Sequence, residues 1–211
     1  MNFAHATSPT IKFVGAEDKT FADRVHSSIS TILTFSKAHH MKIDRSTDFV
    51  EEVIHYGTKE KFDQVISSSP DWPRGTQVPS TYVGLGQKQK FHVVSWDAYK
   101  TIHPNDSVLD YEKLIAHELT HLLHISYLKG REDDMGPTWF FEGFACLVAG
   151  QYPNSPMPSK DNVGEILADK KRGSYLEYAA IFRSLAKKKS IPELLQAAPT
   201  KEFSSWAKKA L

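Results

Sequence analysis

The chain has 211 residues, of which 40% are hydrophobic and 24% are charged, an ordinary composition for one folded globular domain. Lysine and arginine together number 26 and aspartate and glutamate 25, so the formal net charge is +1. Nucleic acids and anionic membranes are bound through clustered positive charge, and neither is expected as a partner. The sequence also contains no apolar stretch that approaches the length of a membrane span.

The single cysteine, Cys146, excludes an intramolecular disulfide and lies in an apolar run, so a buried thiol is expected. The first ten residues, MNFAHATSPT, lack the basic region and the apolar run of a signal peptide, which favours a cytoplasmic location. An exported protein whose signal has been removed would look the same. The oligomeric state is not predictable from these features.

Residue patterns divide the first half of the chain into a helix, a strand, a short helix and two further strands. In chain order these elements are predicted at residues 17–38, 49–56, 58–67, 81–85 and 90–96. Thr58 is the expected N-cap of the short helix, and the last two strands are expected to form a hairpin. Residues 67–79 contain three prolines and a glycine and are expected to form a loop.

In the second half of the chain, the residue patterns predict only helices and the loops between them. The helices are expected at residues 107 or 110 to 129, 137 to about 149, 162–171, 174–188, 191–197 and 201–210. Gly130 is suited to end the first of them, and Pro137 to begin the second. The expected fold is a single α+β domain over residues 1–211. A mixed lobe with a sheet, residues 1–106, would lie over a helical lobe, residues 107–211, with an active-site cleft between them.

The motif His117-Glu118-Leu119-Thr120-His121 lies on the first of these helices. Four residues turn a helix by about 400°, so the two imidazoles leave the same face one turn apart, as two ligands of one Zn²⁺ require. Glu118 lies about 100° around the helix from His117 and is placed to accept a proton from water. A helix that carries two histidines by chance is the alternative. The apolar neighbours of the motif favour the metal site, because unpaired polar groups on a buried helix are costly.

A third metal ligand is expected at Glu142, the only charged residue in the run from Met135 to Val148. A lone carboxylate among aromatic residues is costly unless it is paired or bound to a metal. Gly143 leaves room for a close approach between helices, which would bring Glu142 to the histidines. A carboxylate at the rim of a helix start, favoured by the helix dipole, is the alternative.

The strings HELTH and WFFEGFA, with 20 residues between His121 and Glu142, resemble the gluzincin clan of zinc peptidases. The second string is similar to the W-x-x-E-G-F-A motif of the zinc aminopeptidases. The chain is too short for a full aminopeptidase and has no G-x-M-E-N-type substrate-anchoring string, so it resembles a compact, single-domain relative. The resemblance implies a zincin-like fold and one Zn²⁺ per chain, held by His117, His121 and Glu142. It also implies peptide-bond hydrolysis with Glu118 as the general base.

Aminopeptidases of this clan carry a downstream Y-x-x-[small]-A string, whose tyrosine stabilises the oxyanion. The string Tyr175-Leu176-Glu177-Tyr178-Ala179 is similar and begins 33 residues after Glu142. The resemblance therefore implies that Tyr175 is the oxyanion donor. Tyr178 as the donor, or simple helix packing for both tyrosines, are the alternatives.

Peptidases of this clan also lay the substrate main chain along a sheet edge, which extended peptides bind through backbone hydrogen bonds. Val83, Gly84 and Leu85 lie about 30 residues before His117 and are predicted to form this substrate-binding edge. A hairpin with glycines at its turn is the alternative. No recognisable feature caps a free amino terminus, which favours cleavage inside a peptide or protein substrate and leaves aminopeptidase activity open.

The expected function is thus a zinc metallopeptidase. The alternative is a catalytically inactive binding protein with a gluzincin fold. Glu118, which a structural zinc site does not require, and the lack of a convincing fourth ligand in the sequence favour the enzyme.

Overall fold

The computed structural model describes residues 9–43, 49–70, 72–168 and 173–211. It shows a mixed α+β chain with a four-stranded sheet, which confirms the predicted fold class at this level. The described residues divide into two compact units. One contains those within Met1–Ile29 and Asp48–Leu122, and the other contains those within Ser30–Thr47 and Leu123–Leu211.

The strands and helices follow one another in this order: β1 (Thr10–Val14), α1 (Phe21–Ala38), β2 (Glu52–Tyr56), α2 (Lys59–Ser67), β3 (Gly84–Gln87), β4 (Lys90–Val94), α3 (Trp96–Ile102), α4 (Val108–Tyr127), α5 (Thr138–Val148), α6 (Lys160–Ala168), α7 (Tyr175–Ala186), α8 (Ile191–Ala197) and α9 (Phe203–Ala210). A short 3-10 helix, Glu132–Met135, precedes α5. The division into units falls inside α1 and α4. Within the described ranges, no helix is both long enough and apolar enough to cross a membrane.

The predicted helices and the predicted hairpin are present, with shifts of a few residues at their ends. Thr58 caps α2 as expected, since its side chain accepts a hydrogen bond from the Lys61 N–H. The prediction for residues 162–171 corresponds to α6, but residues 169–171 lie outside the described ones. The sequence patterns do not predict β1 or α3.

The sheet has the strand order β1-β2-β4-β3. Its first three strands are parallel, and β3 pairs antiparallel with β4. The turn between β3 and β4 consists of Lys88 and Gln89, whose φ angles of 48° and 59° suit a two-residue hairpin turn. Among the described strands, β3 is therefore an end strand of the sheet and contacts β4 alone.

In the first unit, the start of α1 packs on the sheet. Phe21 at the start of this helix lies against His55 of β2, with ring centroids 4.3 Å apart, and Phe13 of β1 contacts both rings, at 5.3 Å from His55 and 6.3 Å from Phe21. Burial in this aromatic environment lowers the pKa of His55 below its usual value, because it disfavours the charged imidazolium. His55 is thus a core residue of this unit.

In the second unit, α5 and α7 pack closely around Gly143. A Cβ atom at this position would lie 2.5 Å from the Tyr178 carbonyl oxygen and 2.9 Å from the Phe182 Cβ. Real contacts of a Cβ are not this short, so only glycine allows the two helices to approach in this way. The predicted close helix approach at Gly143 is present, but the prediction that it would bring α5 to the histidine helix is wrong, because the helix that Gly143 admits is α7.

Substitution of Gly143 by alanine is expected to destabilise the protein. Overpacking of this kind typically costs about 1–3 kcal/mol, more than the gain of up to about 1 kcal/mol in helix propensity. Gly164 of α6 is a matched control, because a Cβ there would meet only the flexible end of Lys208, at 3.3 Å. Urea denaturation should show a lower free energy of unfolding for Gly143→Ala and an equal or higher one for Gly164→Ala. Equal effects of the two substitutions would contradict the packing argument.

Candidate metal centre

One face of the helix α4 is buried along most of its length. Tyr111, Ile115, Leu119 and Leu123 are each 0% exposed. The hydroxyl group of Tyr111 donates a hydrogen bond to the Val94 carbonyl oxygen at 2.6 Å, which ties the start of α4 to the end of β4. Polar side chains on such a helix need partners, because burial without them costs free energy.

The three side chains predicted as metal ligands lie together. The ligand atoms of His117, His121 and Glu142 are all within 4.8 Å of one another, and the three residues are 5%, 9% and 1% exposed. The two histidines project from α4 one turn apart, with their Nε2 atoms 3.1 Å from each other. Glu142 is supplied by α5. This is a compact, buried set of two imidazoles and one carboxylate.

The donor set fits a transition metal ion. Two ligands of one tetrahedral Zn²⁺ at about 2.0–2.1 Å are about 3.3 Å apart, close to the observed separation of the imidazole nitrogens. A hydrogen bond between two neutral imidazoles accounts for the same distance. That hydrogen bond does not involve the carboxylate, whose charge a divalent cation would offset. Two imidazoles and one carboxylate suit zinc and also other divalent transition metals.

Glu118 is half-buried on α4 and is held by the end strand of the sheet. The Gly86 N–H donates a hydrogen bond to its Oε2 at 3.3 Å. A Cβ at Gly84 would lie 3.1 Å from the Glu118 Cγ, and a Cβ at Gly86 would lie 3.0 Å from the Glu118 carbonyl oxygen. The two glycines therefore allow β3 to approach α4 and to orient the carboxylate predicted as the general base.

The predicted substrate-binding residues Val83, Gly84 and Leu85 lie at and just before the start of β3. The Val83 carbonyl oxygen accepts a hydrogen bond from the Val94 N–H at 3.1 Å. Opposite residues of an antiparallel pair alternate between bonded and non-bonded positions. Val83 and Leu85 accordingly turn their backbone groups towards β4, whereas Gly84 and Gly86 turn theirs away from it. Because the hairpin turn is Lys88–Gln89, the glycines belong to the strand and not to its turn.

The two candidate oxyanion donors lie on α7, the helix that packs on α5 at Gly143. Tyr175 is the first residue of α7 and is half-buried, while Tyr178, one turn later, is 0% exposed. Their ring centroids are 6.0 Å apart. The sequence string that suggested these tyrosines is thus on the helix in contact with the one that carries Glu142.

Sequence reasoning did not identify Gly86 as the hydrogen-bond partner of Glu118. The pattern that could have revealed it is the pair Gly84 and Gly86, two positions apart in a strand. Residues at this spacing share one face, so two glycines indicate that another element approaches that face closely. The close element is α4, within the same unit.

In comparisons with known proteins, no family model, no curated protein and no solved structure matches the chain. The resemblance to gluzincins therefore rests on the residues of the two motifs, and the geometry of those residues is the basis for a functional proposal.

We expect the chain to bind one zinc ion and His121→Ala to weaken that binding by about a hundredfold or more, since even partners of metal ligands contribute 10–100-fold. His124→Phe is the matched control, because His124 is also a buried histidine of α4 and its ring packs at 5.4 Å from the Phe144 ring. Elemental analysis gives the stoichiometry, and competition with a chelator gives the affinity. A similar loss in both variants, or no zinc bound to the wild type, would contradict the assignment.

Proposed function

We propose that this chain is a zinc-dependent peptidase with a zincin-like fold, in which His117, His121 and Glu142 hold one Zn²⁺ and Glu118 is the general base. The observation that carries the proposal is that three candidate ligands, two imidazoles and one carboxylate from two separate sequence motifs, lie within 4.8 Å of one another and are buried. Glu118, next to one of those ligands in sequence, supplies a carboxylate that ligation does not require. This combination of groups supports hydrolysis over a purely structural role for the metal.

A bound Zn²⁺ would polarise the scissile carbonyl group and make water more acidic. Glu118 then accepts a proton as the water oxygen adds to the carbonyl carbon, and it delivers this proton to the leaving nitrogen as the C–N bond breaks. The Gly86 N–H fixes the orientation of the carboxylate for both transfers. The Tyr175 hydroxyl is the proposed donor to the oxyanion that develops on the former carbonyl oxygen.

The proposed substrate is an extended peptide or protein segment that adds to the sheet alongside β3. Backbone hydrogen bonds to an end strand hold such a segment irrespective of its sequence. Gly84 turns its backbone groups away from β4 and lies against Glu118, whereas the Gly86 N–H is already donated to the Glu118 carboxylate. A segment bound there would pass next to the general base, which supports cleavage inside a peptide.

A catalytically inactive binding protein is the second candidate, and one observation favours it. The hydrogen bond from the Gly86 N–H gives Glu118 a structural role, that of joining β3 to α4, for which no chemistry is needed. Glutamine at position 118 can accept the same hydrogen bond but cannot act as a base. The two candidates therefore differ in what the substitution Glu118→Gln does.

For the peptidase, Glu118→Gln should leave the free energy of unfolding and the bound zinc unchanged while lowering turnover at least a hundredfold. A positioned proton acceptor typically contributes about 10²–10⁴ in rate. Cleavage of a mixed peptide library, followed by mass spectrometry, identifies substrates for the wild type, and kcat is then measured for both forms. A variant as active as the wild type would remove the general base from the mechanism. A zinc-loaded wild type that cleaves no peptide would favour the binding protein.

Single substitutions to phenylalanine distinguish the roles of the two tyrosines. If Tyr175 is the oxyanion donor, Tyr175→Phe should lower kcat by about 10²–10³ with little change in KM, as loss of such a donor does elsewhere. Tyr178→Phe should leave kcat unchanged. The opposite pattern would transfer the role to Tyr178, and two fully active variants would show that both tyrosines serve only packing.

A further inference from the structure

A small cavity lies beside the end strand of the sheet, on the face away from Glu118. Successive side chains of a strand point to opposite faces, so Leu85 and Gln87 point away from the side on which Gly84 and Gly86 approach α4. The cavity has a volume of about 180 Å³. Its lining consists of Ile66, Ser69, Trp72, Pro73, Leu85 and Gln87. All of these residues belong to the first unit.

The wall of the cavity is held in place by hydrogen bonds within its own loop. The Trp72 backbone N–H donates to the Ser69 carbonyl oxygen at 3.1 Å, and the indole Nε1–H donates to the Thr76 carbonyl oxygen at 3.2 Å. The Thr76 hydroxyl donates in turn to the Pro73 carbonyl oxygen at 2.6 Å. On its other side, the indole ring packs on Tyr82, with centroids 5.6 Å apart. The cavity is therefore formed in advance and needs little ordering to receive a ligand.

We propose that this cavity receives one large apolar side chain, such as leucine or phenylalanine, of the peptide that lies along β3. The inference rests on the proposed peptidase function and adds a side-chain preference to it. The lining is apolar at Ile66, Trp72, Pro73 and Leu85, and none of the described residues that line it is charged. Its volume is below the about 300–1,000 Å³ typical of sites for whole small molecules, which suits a single side chain.

The geometry of a strand also fixes where the preference appears. In an extended peptide beside β3, alternate side chains point to the α4 face and to the cavity face. The two residues that flank the scissile bond are neighbours, so they point to opposite faces. The cavity can therefore select the residue on one flank of the cleaved bond, but not the residues on both flanks.

The test compares kcat/KM for matched peptides that carry leucine, phenylalanine or glycine at each flank, with zinc-loaded wild type, Trp72→Ala and Trp206→Ala. Burial of such a side chain corresponds to about a tenfold to hundredfold preference over glycine, expected for the wild type at one flank only. Trp72→Ala should reduce the preference to about threefold or less. Trp206→Ala should retain it, because Trp206 packs on Phe203 and under the Lys189 ammonium and lines no part of the cavity.

If circular dichroism shows that Trp72→Ala does not fold, Gln87→Trp decides. The tryptophan side chain would fill the cavity from the strand side. At the selected flank, kcat/KM for the leucine or phenylalanine peptide, divided by kcat/KM for the glycine peptide, should fall about tenfold. Cleavage without an apolar preference, or a preference unchanged in the folded cavity variants, would overturn the cavity proposal and leave the peptidase proposal standing. A zinc-loaded wild type that cleaves none of the peptides would overturn both.

Discussion

The approach of β3 to α4 is possible because two positions of the strand have no side chain. At Gly86 a Cβ would lie 3.0 Å from the Glu118 carbonyl oxygen and 3.2 Å from the Leu122 Cγ, so a residue with a side chain would fit only if the strand or the helix shifted. This contact places the Gly86 N–H within hydrogen-bonding distance of the Glu118 carboxylate. The orientation of the proposed general base and the position of the end strand beside it therefore follow from one packing constraint.

The same helix buries polar side chains among apolar ones, which costs folding free energy. The buried part of α4 contains apolar residues, yet it also contains the imidazoles of His117 and His121, whose ligand atoms lie within 4.8 Å of the buried Glu142 carboxylate. The hydroxyl group of Thr120, between the two histidines, is satisfied within the helix, because it donates a hydrogen bond to the Ala116 carbonyl oxygen at 2.7 Å. Two imidazoles and one carboxylate form a donor set that divalent transition metal ions bind. Departures from a consistent apolar pattern are expected at functional sites, where a ligand repays the cost of burying polar groups.

The predictable parts of this molecule are those that local geometry determines. The spacing of His117 and His121 fixes their common face once the segment is helical, and Glu142 was identified because a carboxylate is chemically out of place in its apolar run. The strand β1 is short and half-exposed, and the aromatic residues of α3 resemble a continuation of the preceding strand. Parallel pairing of β1, β2 and β4 joins segments far apart in sequence, so no local pattern specifies it.

The turn Lys88–Gln89 marks another limit of sequence reasoning. Both residues adopt positive φ although neither is glycine or asparagine, the residues that usually do so in turns. Residue preferences therefore favoured a turn at the nearby glycines instead. With the turn at these two residues, the register pairs Gly84 with Val93 and Gly86 with Phe91. A shift by one residue would turn Leu85 and Gln87 towards α4, where no space exists for them, and would move the glycines to the cavity face. The packing against α4 thus selects the register of β3. With this register, the strand face beside Glu118 serves the proposed chemistry, and the opposite face lines the cavity proposed to select a side chain.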